Sequence, residues 1–285
     1  MKRTVKLTAG FVIAIVLLTY CTERIHIELP STYTRLVVEG YFTTDTMSHM
    51  VKLSRSADYF FNQPLEPVIG ALVTITDESN TYLLKEDPDS AGLYKTDPDV
   101  FGEQGHTYTL HISNVDINGD GTTEEYSSTG PIHYLGYPDS IQIVEREMFY
   151  TKVWEIRLFA TDPAETRDYY MFRVYKNGIL LQDTLNEAFL LDDEYFNGVY
   201  SMGVPVQYLV ARKPDEVTKP GDKITLEIAN ITKEYFFFID QVVNMSRGTG
   251  PFSGQPANVS TNLTNGAMGF FATYPVRRVS RIYNP

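Results

Sequence analysis

One cysteine, Cys21, stands in a chain of 285 residues. A lone thiol excludes an internal disulfide framework and any zinc site built from paired thiolates. Positive charge is scarce too: 24 Lys and Arg face 36 Asp and Glu, a formal net charge of −12. A body this acidic is not drawn to phosphate backbones or anionic headgroups, which removes nucleic acid as a partner. The only long apolar run, Leu7 to Thr19, is shorter than the ~20 residues a spanning helix needs. The five histidines (His26, His49, His106, His111, His133) show no H-E-x-x-H spacing. His106 and His111 stand an odd number of residues apart on an expected strand, which sends them to opposite faces. There is no G-x-S-x-G elbow, no P-loop and no G-x-G-x-x-G after a strand, so the motifs for acyl transfer and nucleotide binding are missing. Gly248-Thr249-Gly250 follows an expected helix instead of preceding one, the wrong order for phosphate capture at a helix N-terminus.

What is present begins at the N-terminus. Lys2, Arg3 and Lys6 form a basic region ahead of the apolar run, the pattern of a secretory signal. Cys21 closes that run and reads as a lipidation site, with residues 1–20 removed as signal peptide and residues 21–34 left as a polar tether. The context Leu18-Thr19-Tyr20-Cys21 fits a lipobox except for the bulk of Tyr20. Acyl chains contribute ~0.8 kcal/mol per buried CH₂, so a doubly or triply acylated cysteine anchors an acidic body without a basic patch.

From Arg35 onward the pattern is β. Leu36–Phe42, His49–Arg55, Val68–Thr76, Thr81–Leu84 and Thr107–Ile112 are short apolar or alternating segments separated by turn residues, with Tyr108, Leu110 and Ile112 on one face. That spacing predicts a β-sandwich over residues 35–133. Pro131 to Pro138 reads as a crossover into a second, antiparallel β-rich domain over 134–285. Its strands are expected at Ser140–Val144, Val153–Phe159, Tyr169–Tyr175, Val206–Ala211, Ile224–Ile228 and in Ala267–Val279. One segment breaks the rhythm. Ile231, Tyr235, Phe238, Val242 and Met245 recur near a period of 3.6 and predict one amphipathic helix near 231–246, capped by Asn230 or Thr232 and packed across a sheet.

The sharpest chemical pattern is Asp116-Ile117-Asn118-Gly119-Asp120-Gly121. Oxygens at alternate positions with glycines between them suit a hard cation, making Asp116, Asn118 and Asp120 the calcium candidates. Ser127 stands where such a loop places its bidentate Glu, and Asn-Gly and Asp-Gly equally describe a solvated hairpin tip. Calcium at this loop is the one cofactor reading; otherwise none is expected. Asp192 and Asp193 read as a solvated acidic loop, although paired carboxylates also serve glycoside hydrolysis when correctly spaced. No catalytic set emerges. Twenty Tyr and sixteen Phe suit either strand packing or a binding surface.

The order of landmarks resembles a known family. Cys21 is followed by Ile25-His26-Ile27-Glu28-Leu29-Pro30, Leu36-Val37-Val38-Glu39-Gly40 and Val51-Lys52-Leu53-Ser54-Arg55-Ser56. Then come Val68-Ile69-Gly70-Ala71-Leu72-Val73, Asp192 to Gly198, Glu234-Tyr235-Phe236, Pro251-Phe252-Ser253, Pro256 to Val259 and Asn265 to Ala272. This series is similar to the Bacteroidota lipoproteins of domain-of-unknown-function family 4249. The resemblance implies an Ig-like N-terminal sandwich, a lipid anchor at Cys21 in the outer membrane, on the cell surface or the periplasmic face, and a TonB-dependent receptor as partner. It also implies a role in capturing a ligand for that transporter or covering it. The alternatives are a structural or adhesive surface module and, from the paired acids, a hydrolase of surface glycans.

Overall fold

Alternation along the chain becomes strands wherever one face can be buried. In the computed structural model, described over residues 34–57, 64–181, 184–194, 196–246 and 259–285, Thr34–Pro285 belong to one compact unit. β1 (Leu36–Thr43), β2 (Met50–Arg55), β3 (Leu72–Thr76), β4 (Thr81–Glu86), β5 (Leu93–Lys95), β6 (Thr107–Val115) and β7 (Glu124–Pro131) come first. They join a later strand, β15 (Met268–Tyr274), in an eight-stranded sheet of order β15-β1-β2-β5-β4-β3-β6-β7. Its inward residues make one core: Leu36, Val38, Val51, Leu53, Val73, Ile75, Tyr108, Leu110 and Ile112 are all buried. The sheet curls until its two edges meet. Thr273 Oγ1 on β15 donates to Pro131 O at the end of β7 at 2.8 Å. A Cβ on Gly130 would sit 2.4 Å from the same Thr273 hydroxyl oxygen, so glycine is what permits this approach.

The remaining strands are β8 (Ser140–Met148), β9 (Thr151–Phe159), β10 (Tyr169–Lys176), β11 (Ile179–Leu180), β12 (Phe189–Asp192), β13 (Val204–Val210), β14 (Lys223–Ile231) and β16 (Val276–Ile282). β13-β9-β8 form a three-stranded sheet. The order β11-β10-β14-β16, with β12 also on β10, forms a five-stranded one. The two share a second core of Ile141, Trp154, Ile156, Phe172, Val174, Leu226 and Ile228. β10 is buried on both faces: Tyr170, Phe172 and Val174 enter this core, whereas Tyr169 and Met171 enter a third. That explains why β10 opens on a continuous apolar run, Tyr169 to Phe172, rather than an alternating one.

The third core lies beneath the helix, α1 (Lys233–Ser246). Thr232 starts it, its Oγ1 accepting from Tyr235 N at 3.2 Å, as an N-cap does. The expected start at Ile231 is corrected, because that residue ends β14. The buried centre of the apolar stripe is Ile239, flanked by Tyr235, Phe236, Phe238 and Val243, while Met245 is exposed. Phe238 packs on Phe270 of β15 with ring centroids 5.0 Å apart. The division placed at 133/134 falls between β7 and β8. The chain then crosses back, because β15 runs parallel to β1 with Val38 opposite Gly269. A parallel partner far away in sequence leaves no local turn signal.

Candidate functional site

Three aspartates converge where the five-stranded sheet ends. Asp162 and Asp168 lie on the connection from β9 to β10, and Asp193 follows β12 directly. Ladder register brings two of them together. Tyr169 stands opposite Asp192, so one rung further Asp168 meets Asp193. Asp193 N donates to Asp168 O at 3.2 Å, and Asp168 N donates to Asp193 Oδ2 at 2.8 Å. On the other side of β10, β14 sets Asn230 opposite Tyr170. Its Nδ2 donates to Asp168 Oδ1 at 2.8 Å and to Tyr134 O at 3.0 Å. Asp162 is held from both sides, accepting from Tyr170 OH at 2.7 Å and from Gly198 N at 3.1 Å. Thr166 Oγ1 donates to Asp168 Oδ2 at 2.7 Å.

The result is a compact acidic centre. One oxygen from each carboxylate lies within 4.8 Å of the other two, and Asp162, Asp168 and Asp193 are only 8%, 5% and 0% exposed. Like charges within that distance repel by at least about 3 kcal/mol per pair at an effective dielectric of ~20. Among the described residues no Lys or Arg forms an ion pair with any of the three; Arg167 turns instead to Asp192 and Glu194, at 3.5 and 3.3 Å. Burial pushes the Asp162 carboxyl above its ordinary range, the hydrogen bonds from Tyr170 and Gly198 pull it back, and the negative Asp193 and Asp168 push it further up. Burial also raises the Tyr170 hydroxyl, with the Asp162 hydrogen bond next in weight. Two buried oxygens here have no hydrogen-bond partner among the described residues: Asp193 Oδ1 and Asn230 Oδ1. A buried acceptor without a donor is costly and marks a place where something else belongs.

The cluster separates two concavities. An apolar cavity of about 60 Å³ is lined by Leu158, Tyr170, Phe172, Val206 and Ile228, with Asp162 in its wall. An open groove of about 880 Å³ is lined by His133, Tyr134, Arg167, Asp168, Asn230 and Lys233.

A second feature projects from the β8–β9 hairpin. Met148 pairs with Thr151, leaving Phe149 and Tyr150 as a two-residue turn with φ of 49° and 61°. A turn with both residues left-handed favours Asn-Gly, because a side-chain Cβ in that region costs about 1–2 kcal/mol per residue. Here two aromatics occupy it, 86% and 98% exposed.

The site residues expected from sequence lie elsewhere. Cys21 falls outside the described residues. At the β6–β7 tip, Asp116 Oδ1 accepts from Gly119 N at 2.7 Å and Asp120 N at 3.2 Å, and its Oδ2 from Gly121 N at 2.9 Å. Asn118 Nδ2 donates to Asp120 Oδ2 at 3.0 Å. The loop closes on its own backbone, as a turn does. The expectation of a solvated loop at Asp192–Asp193 is corrected at Asp193, which is fully buried and whose carboxylate accepts from Asp168 N on the β9–β10 connection. The sequence carries no motif at Asp162 or Asp168. Each sits in a polar, turn-rich segment, and no spacing distinguishes it from an ordinary surface acid.

Fold and site together define a mainly antiparallel β-sandwich-like protein with one α-helix among the described residues, folded around a buried three-carboxylate cluster. The chain belongs to the family defined by a domain of unknown function, DUF4249, which matches residues 22–280. No curated protein matches it.

Proposed function

We propose that this chain is a non-enzymatic, lipid-anchored outer-membrane accessory protein that captures a ligand for, or caps, a TonB-dependent transporter. The observation that carries the reading is the Phe149–Tyr150 turn. Two aromatics held left-handed and almost wholly exposed carry backbone strain that burial of their rings does nothing to offset. Strain of this kind concentrates at functional sites, and large exposed aromatics are the side chains that protein partners bury. The groove beside Tyr134 gives the same molecule a concave surface for a ligand. Cys21 at the end of the signal-like run supports the anchor. Among the described residues no helix is long and apolar enough to cross a membrane.

The test is detergent extraction of the tagged full chain from its own cells. A large β-barrel protein should co-purify. Replacing the turn by its preferred residues, Phe149→Asn with Tyr150→Gly, should abolish co-purification while leaving the unfolding midpoint unchanged or higher. Cys21→Ser should move the protein from the membrane to the soluble fraction. Extraction without a barrel, or co-purification indifferent to the turn, overturns the transporter role and favours an adhesive surface module. Membrane association of Cys21→Ser that survives carbonate washing overturns the lipid anchor.

A further inference from the structure

The geometry points to a binding site for one hard divalent cation, calcium by its donor set, held by Asp162, Asp168, Asp193 and Asn230. Four observations converge on it. The three carboxylates share one buried space within 4.8 Å, and among the described residues no Lys or Arg pairs with them. Buried charges are ordinarily paired or coordinate a metal. Asp193, 0% exposed, has Oδ1 without a partner. Asn230, 1% exposed, is the fourth: its Nδ2 is committed to both Tyr134 O and Asp168 Oδ1, which fixes the amide and leaves Oδ1 as an unused acceptor.

The chemistry selects the ion. An all-oxygen set of carboxylates and a carbonyl suits calcium, magnesium or manganese and not a soft metal. Oxygens 2.3–2.6 Å from one calcium stand at most about 5 Å apart, so three that lie within 4.8 Å of one another can reach a single ion. Between the hard cations, magnesium keeps several waters, while calcium accepts a cage made by the protein. The hydrogen bonds from Tyr170, Thr166 and the Asp168 and Gly198 amides then orient the ligands, as outer-shell donors do. Such an ion ties the β9–β10 connection, the end of β12 and β14 into one rigid wall of the groove. The site is distinct from the 116–120 turn and does not depend on the transporter role.

The experiment uses the full chain in detergent, stripped with EDTA and titrated with calcium chloride. Calorimetry should give one ion per chain. At a hundredfold excess over the dissociation constant the unfolding midpoint should rise by roughly 5–10 °C. Terbium should bind at the same place, with luminescence sensitised through Tyr170 and quenched by added calcium. Asp193→Asn should abolish the stoichiometry, the midpoint shift and the luminescence, yet in EDTA it should unfold no lower than the parent, because one repelling charge is gone. Asp162→Asn is the second variant should Asp193→Asn fail to fold. Asp116→Asn should leave all three readouts intact. No binding by the parent chain at millimolar calcium overturns the site in favour of a proton shared among the carboxylates. Calcium binding lost in Asp116→Asn but kept in Asp193→Asn overturns it in favour of the β6–β7 tip.

Discussion

Glu227→Gln removes one charge from a network that spans three adjacent strands. Glu227 on β14 stands opposite Arg173 on β10 and Arg278 on β16, and is 1% exposed. It accepts from Arg173 Nε at 2.8 Å, Arg278 Nε at 2.9 Å and Tyr175 OH at 2.9 Å. Arg278 continues to Asp45 beyond β1, with contacts of 2.9 and 2.6 Å, and so links the two large sheets. Both carboxylate oxygens are engaged by guanidinium groups, so whichever way a glutamine amide turns, its NH₂ meets a donor. Breaking a buried ion pair from one side costs about 3–5 kcal/mol. The low end applies, because the Arg173 and Arg278 side chains keep 26% and 39% of their surface in water and Arg278 keeps Asp45. About 3 kcal/mol lowers the midpoint of a domain this size by roughly 6–12 °C. Thermal unfolding followed by circular dichroism measures it. The control is Glu39→Gln, whose pair with Lys52 is 3.8 Å long with side chains 60% and 58% exposed; exposed pairs contribute about 0–1 kcal/mol. A Glu227→Gln midpoint indistinguishable from that control would refute the claim that the network holds the sheets.

Three further outcomes are expected. Gly269→Ala should lower the soluble yield and cost at least about 2 kcal/mol, since Gly269 has φ +91° and an added Cβ would stand 2.0 Å from Val38 O; an unchanged midpoint would contradict the parallel β1–β15 pairing. In α1, Ile239→Ala should cost about 3 kcal/mol and Phe238→Ala roughly half that, because only Ile239 is fully buried, while Lys233→Ala does little; denaturant unfolding with the order reversed would misplace the stripe. Acidification should destabilise the fold through His49, which is fully buried against Phe42 with ring centroids 4.5 Å apart. Burial lowers its pKa from the ordinary value of 6.5. The unfolded state therefore binds the proton more readily, and the stability His49 contributes is complete above about pH 6.5 and lost as pH falls toward the folded value. His49→Gln should flatten the dependence below about pH 6.5, and an unaltered slope would exclude His49 as its source.

The sequence by itself determined the class of the fold and most of its elements. Tyr108, Leu110 and Ile112 lie inward on β6 as their alternation requires, and the stretch after Thr232 is the one long helix among the described residues, because these signals are carried by neighbours within a few positions. Strands without that signal were not legible. β7 turns Ser128 and Gly130 inward beside a single large residue, Tyr126, and β12 lies inside a segment that reads as an acidic loop. Tertiary structure alone decided the rest. The β15–β1 pairing joins Met268 to Val37, and nothing local announces contact between such distant segments. The acidic centre was decided the same way. Asp168 and Asp193 become neighbours only through the β10–β12 register, and Asn230 reaches them only through β14. A carboxylate's burial, its lack of a counter-ion and its unfilled lone pairs are properties of surroundings drawn from four separate segments, so no single stretch of the chain could display them.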